Sequence, residues 1–466
     1  MPPKGIRWTG LGVLLVFGLS CAAHHKEPGK LEEDIARYKR ELRALPEDVE
    51  ARYRLGVSYY KMRDYQASVE ELEEVVEMEP FLPMARNNLG LAYVAEGKVD
   101  KAISQYQRAL ELDPHLTSAR MNLGAAYFLK GMYEEAGAQF LELMKEEPSH
   151  VGAHLGLGLT YMRRGWVDEA ISQFNEATRF GPEDPEAYKQ LGMAYEQKGA
   201  TEEAAYAFKR ALALDPHDAE TYWHMGNIYY ERKDMGWALM KYAHVTDIKP
   251  DFAGVHYQRG LALREKGAGE EALLEFEKVV EMEPEYPGVY YQIGFIYHEM
   301  NELEKAVDAY EKALKSTPKD VQVYKELAGL YMGMGEVKRA LHYYREIAVE
   351  LEPKDPQAHY QLAELYAADQ DLSNALVHWR SAAELEPALA IEVWRGALKF
   401  DPSLAEAHYR LGIAYIENRR LKEALESLEM AVELKPGEET FRLALEQARA
   451  QSKKVEEGGI EEKWWP

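Results

Sequence analysis

Cys21 is the single cysteine among 466 residues. It has no second thiol within the chain to pair with, so the chemistry open to it is modification from outside. It stands at the end of a distinct N-terminal segment. Lys4 and Arg7 precede an apolar run from Leu11 to Phe17, and Gly18-Leu19-Ser20 lead into the cysteine. A basic start, a short apolar centre and small residues at the junction form the layout of a secretory signal over residues 1–20. The run is too short for the roughly 20 residues of a membrane span. His24 and His25 could suggest a metal, but adjacent side chains in a polar tether point apart and lack further ligands, so neither metal nor cofactor is expected. No HExxH, GxxxxGK[ST], GxSxG or CxxC sequence occurs, so no enzymatic activity is expected and the remaining chemistry is recognition.

The elements that present such chemistry follow from one period. Leu55-Gly56, Leu89-Gly90, Leu123-Gly124, Leu157-Gly158, Leu191-Gly192, Met225-Gly226, Arg259-Gly260, Ile293-Gly294 and Leu327-Ala328 recur every 34 residues. An aromatic stands three residues after most of these small residues (Tyr59, Tyr93, Tyr127), and a Gly often follows at seven (Gly97, Gly131, Gly165). A second small residue (Ala102, Ala136, Ala170) is followed four later by an aromatic (Tyr106, Phe140, Phe174), and a Pro (Pro80, Pro114, Pro148) closes the unit. Spacings of three and four put Leu55 and Tyr59 on one helix face, and the Pro cannot continue a helix. One such helix pair cannot bury its apolar face alone; stacked neighbours bury it as a continuous core.

The pattern resembles the tetratricopeptide repeat family, whose signposts have these residue types in this order. That resemblance implies an all-α, right-handed superhelical α-solenoid of about eleven repeats, numbers one to ten over residues 49–387 and the eleventh over 403–436. A capping helix is expected over 31–48, another over 437–451, and a charged tail over 452–466 that ends in Trp464-Trp465-Pro466. In the tenth repeat the register slips by one, to Leu362-Ala363. Residues 388–402 read as an extra copy of a second helix, because Trp394, Arg395 and Ala397 match Trp379, Arg380 and Ala382; a local kink or shift is expected there.

Leu19-Ser20-Cys21 resembles the lipobox of bacterial lipoproteins, with Gly18 a departure from it. The resemblance implies a lipidated Cys21 as the new N-terminus, a tether over residues 21–30, and contact with a lipid bilayer through that anchor. Ala22 after the cysteine implies the outer membrane, facing the periplasm. The chain carries 56 Lys and Arg against 80 Asp and Glu, a net charge of −24. That balance disfavours nucleic acid, whose phosphates require basic contacts.

In the repeat family the first helices line a concave groove. Its slots lie two before the Leu, one after the small residue, and four after it. Those slots hold Leu91, Val94, Met121, Phe128, Leu155, Leu159, Met162, Trp223, Tyr230, Tyr257, Tyr291 and Phe295. The slot before the Leu carries a partial amide ladder of Asn88, Asn122, Gln190, Gln258, Gln292 and Gln361, able to donate to and accept from a peptide backbone. Lys189 and Lys325 lack the Asn partners of a carboxylate clamp. The resemblance therefore implies a scaffold for protein or peptide partners, in pilus or secretion, polysaccharide-export or peptidoglycan machinery. The alternative is direct polysaccharide binding on aromatic rows.

Overall fold

A computed structural model describes residues 28–456. Cys21, His24-His25 and Trp464-Trp465 lie outside the described residues. Among the described residues the chain is all helical: paired antiparallel helices of mostly 11–14 residues, joined by short turns, without a strand. It divides after Ala262 into two compact units, each built of stacked helix pairs. Among the described residues, no helix is long and apolar enough to cross a membrane.

A typical pair is Val151–Arg164 followed by Val167–Phe180. The first helix ends because Gly165 adopts a left-handed conformation at φ 78°, which costs glycine little. The same turn position, seven after the small residue, carries Arg63, Lys233, Asn301, Gln370 and Arg419 in other repeats, each at φ between 58° and 64°. Side-chain-bearing residues are held there against their preference. Asp48, Asp184, Asp218, Asp320 and Asp355 cap their helices by accepting backbone N–H bonds.

In most pairs the aromatic of the second helix lies against the small residue of the first. A side-chain carbon added at Gly158 would stand 2.5 Å from the Phe174 ring, and one at Gly124 would stand 2.6 Å from Phe140. Tyr106, Phe140, Phe174 and Phe208 are fully buried in this way. Repeat one replaces the ring with Leu72 and puts Ser68 in the small slot, where its hydroxyl donates to the Gly56 carbonyl at 2.8 Å.

A second device recurs three residues before the Leu. Arg120 Nη2, His154 Nε2, His359 Nε2 and His408 Nε2 each bond the carbonyl of the Pro six residues earlier, at 2.6–3.2 Å. The loop between pairs is thereby tied to the helix that follows it.

In the second unit the pattern changes. The one-residue slip appears as a π-helical turn, Glu346–Leu351, continuing the helix Val337–Arg345, with Glu352 N–H bonding the Ile347 carbonyl at 2.7 Å. An α-helix absorbs a single inserted residue by such a bulge. Farther on, the helix Ala390–Phe400 follows a short 3-10 turn, Pro387–Leu389. Its Gly396 abuts Tyr360 and Glu364 of the helix Pro356–Ala368, as the next first helix of a regular array would. On its other side Arg395 Nε donates to Tyr415 Oη at 2.8 Å, across the same 20-residue separation at which Gln107 of a second helix bonds Tyr127. The inserted helix thus joins two registers of the array. The N-terminal helix spans Pro28–Ala44, starting within the segment read as tether because Pro28 suits a first helical position. The last described helix, Glu439–Glu456, runs beyond the position read as its end.

Candidate partner-binding groove

The predicted groove slots separate into three groups by burial. Leu91, Val94, Met121, Phe128 and Leu155 are only 3–7% exposed and belong to the packed core. Gly90 and Gly156 lie against the second-helix rings of Tyr106 and Phe140, while the slot side chains pack among the buried side chains of their own and adjacent repeats. Most of their surface is spent on neighbouring repeats rather than presented to a partner.

A second group packs on nearby rings while keeping some exposed surface. Trp223 lies 5.3 Å from Phe252 and 5.8 Å from Tyr242. Lys233 sits over Tyr230 at 5.7 Å, and Tyr257 is half-buried. In the second unit Tyr291 lies 5.7 Å from Tyr310, and the Arg264 guanidinium covers Phe295 at 5.0 Å. Burial, reinforced by Glu326, holds the Tyr291 hydroxyl above its usual pKa.

The third group forms a cleft in the first unit. Leu159 and Met162 are half-buried and line, with Phe128, Gln190, Met193, Arg163 and Gln197, a cavity of about 180 Å³ open to solvent. Successive first helices supply it: Thr117–Leu129, Val151–Arg164 and Pro185–Lys198. Apolar side chains dominate its wall, with the two amides and Arg163 at its polar edge. Of the predicted residues, the structure brings Phe128, Leu159, Met162 and Gln190 together here. Met193 stands in the same slot as Leu159. Arg163 and Gln197 lie in a slot the pattern omitted, five after the small residue, and their matching offsets from Gly158 and Gly192 were the available signal.

The amide ladder is mostly engaged within the chain. Asn88 Nδ2 donates to Tyr53 Oη at 2.6 Å, and Asn122 Nδ2 to Asn87 Oδ1 at 2.8 Å. Both are buried and fasten one first helix to the previous one. Gln190 Nε2 donates to Glu186 Oε1 at 2.7 Å, and Gln292 accepts from Arg264. Gln258 and Gln361 are half-buried.

Lys189 is likewise committed. Its ammonium lies 2.8 Å from Glu186, 3.4 Å from Glu220 and 3.7 Å from Asp218. Burial opposes its charge, but the three carboxylates outweigh that and raise its pKa above the usual lysine value. Lys325 pairs with Asp355 at 2.8 Å and Glu352 at 3.2 Å. Among the described residues, no cluster of three or more His, Cys, Asp or Glu has the arrangement of a metal site.

Repeats, ring-on-small-residue packing and short turns together define a solenoid of helix pairs. Family models described as tetratricopeptide or TPR repeats match residues 49–81, 90–131, 138–185, 155–219, 260–301, 287–320, 325–387, 388–418 and 405–438. The chain belongs to the tetratricopeptide repeat family. Among solved structures it is similar to MamA, at 30% identity over 36% of this chain and 92% of that one, with a TM-score of 0.34. It also matches PilF of Pseudomonas aeruginosa, at 20% identity over 46% and 97%, TM-score 0.39. Yeast Tom70 matches at 18% identity over 88% and 96%, TM-score 0.37. Compared with curated proteins, the chain has no match. Its architecture is that of a protein-interaction scaffold.

Proposed function

We propose that this chain is a non-enzymatic, lipid-anchored scaffold of a bacterial envelope, holding protein or peptide partners on the faces of its first helices. The observation that carries the binding half is the open cleft at Leu159 and Met162, where apolar surface remains available amid slots otherwise consumed by packing. An apolar concavity with a few polar groups on its rim is the usual form of a recognition site. The anchor half rests on the Leu19-Ser20-Cys21 junction and its signal layout. Ala22 after that cysteine would direct the protein to the outer membrane, facing the periplasm, where it would assemble pilus or secretion, polysaccharide-export or peptidoglycan machinery.

The test compares wild type, Cys21→Ser and Leu159→Glu in affinity capture from membranes. A defined set of partners should be retained by wild type and lost by Leu159→Glu. Cys21→Ser should keep the partners but lose incorporation of a palmitate analogue. Labelling that survives Cys21→Ser would sink the anchor, and an unchanged partner set with Leu159→Glu would sink the groove. Glycan binding that disappears with Trp223→Ala and Tyr257→Ala would replace the protein-partner reading with the carbohydrate one.

A further inference from the structure

The cleft in the first unit is too small for a cofactor or drug-sized ligand, which needs at least ~300 Å³. At about 180 Å³ it compares with the ~150 Å³ that suffices for a benzene-sized guest. It therefore fits one large side chain. Its wall combines the Phe128 ring and Leu159 with the Met162 and Met193 thioethers, which adapt to unbranched or γ-branched guests.

Charge at the mouth narrows the guest further. Arg163 is exposed, and its guanidinium lies 5.9 Å from the Phe128 ring centroid. Among the described residues it makes no ion pair. Its neighbour Arg164 is committed, stacked on Trp166 at 3.7 Å and paired with Glu134 at 3.3 Å. In a chain of net charge −24, an unpaired guanidinium at the rim of an apolar cleft is complementary to an anion on the guest. Gln197, also exposed, flanks the same mouth.

We infer that this cleft is a single-residue subsite for an extended peptide that inserts a leucine- or methionine-sized side chain and sets an adjacent carboxylate against Arg163. The inference rests on reading the groove as a peptide site. Its occupant is a partner segment with an aliphatic residue next to Asp, Glu or a C-terminal carboxylate.

The experiment probes the full chain in detergent on an array of capped Gly/Ser dodecapeptides carrying Leu-Asp, Met-Asp, Leu-Asn, Ala-Asp or Leu-Lys; array display raises weak affinities by avidity. Wild type should retain Leu-Asp and Met-Asp about fivefold above Leu-Asn at low salt, the range of an exposed charge pair. Leu-Asn should still exceed Ala-Asp. Arg163→Gln, at an exposed position, should abolish the Asp-over-Asn preference and keep the leucine preference. Met193→Glu should remove both, with circular dichroism confirming its helices. Leucine-dependent binding without an acidic preference, or with one that persists in Arg163→Gln, overturns the inference alone. Binding of all peptides alike by wild type and Leu159→Glu, or binding of none, overturns the groove reading and the inference with it.

Discussion

The two units of the chain follow one sequence rule with different strictness. In the first, each ring of a second helix rests on a glycine: Tyr106 on Gly90, Phe140 on Gly124, Phe174 on Gly158, Phe208 on Gly192. The period stays at 34 residues. The second unit begins the same way, with Tyr310 on Gly294, but its small residue then becomes Ala328 and Ala363, and the ring in the first of these repeats, Tyr344, is only half-buried. That repeat contains the π turn Glu346–Leu351, where Ile347 and Ala348 enter the core. The next repeat sets Trp379 in the ring position, fully buried, with its indole N–H lacking a hydrogen-bond partner. Where glycine lets a ring lie against it, the spacing is fixed. Where it does not, the chain adds a residue and later a whole helix.

The most damaging way to break this contrast is Gly158→Val. Its added carbons would overlap the Phe174 ring and displace the pair, at a cost of about 3 kcal/mol. Hydrogen exchange should show lost protection in Val151–Arg164 and Val167–Phe180, with distant repeats retaining theirs. Ala328→Gly in the looser unit should cost no more than about 1 kcal/mol. Equal effects at the two sites would dissolve the distinction.

Next in size is the ion cluster of the first unit. Lys189→Met leaves Glu186, Asp218 and Glu220 without their shared cation and should cost about 2 kcal/mol, less than a wholly buried pair. Because the folded state raises the lysine pKa, its contribution is present below the unfolded value of about 10.4 and is lost as pH rises beyond it. The difference between wild type and Lys189→Met in urea titrations should therefore be constant from pH 7 to 9. A difference that vanished in that range would contradict the assignment.

The second unit answers to acid instead. His359 Nε2 donates to the Pro353 carbonyl, so its Nδ1 accepts from His378 Nδ1–H at 2.9 Å. Burial, then the neighbouring His359, lowers the His378 pKa to about 4. The unfolded imidazole takes a proton near 6.5 and the folded one resists, so stability falls as pH drops from about 6.5 to 4. After allowance for solvent screening the loss is about 1 kcal/mol. Thermal melts of His378→Asn should be flatter across that window than those of wild type; parallel curves would remove the histidine pair as the cause.

The smallest effect is a gain. Gln370 at φ 64° and Arg63 at φ 63° occupy the turn that glycine fills in other repeats. Gln370→Gly or Arg63→Gly should stabilise by about 0.5 kcal/mol, the relief of left-handed strain less the added chain entropy. Denaturant midpoints would show it, and a loss at both positions would mean that those side chains make compensating contacts.

Much of the fold was legible because its determinants are local. The Leu-Gly pairs, the ring four after the second small residue and the closing Pro each specify contacts within a repeat or with its neighbour. The groove was less legible. Met121 and Leu155 carry the same side-chain chemistry as Leu159, yet the first two are buried and the third is half-exposed, a difference set by how closely successive helices stack. Asn88 and Asn122 have the chemistry to hold a peptide backbone, but their amides bond Tyr53 and Asn87 instead. The slot of Arg163 and Gln197 escaped the pattern because it mixes charged, amide and apolar residues along the array.

The ties between helices also govern how quickly the molecule assembles. The loop tie of His154 closes over six residues, its bond to Gln173 over 19, and the Asn122–Asn87 strut over 35. Such contacts require only small loops to close, and chains rich in short-range contacts fold fast. Assembly can begin at any repeat and spread in both directions. A defect in one repeat then delays its neighbours' completion while leaving the rest of the array free to form.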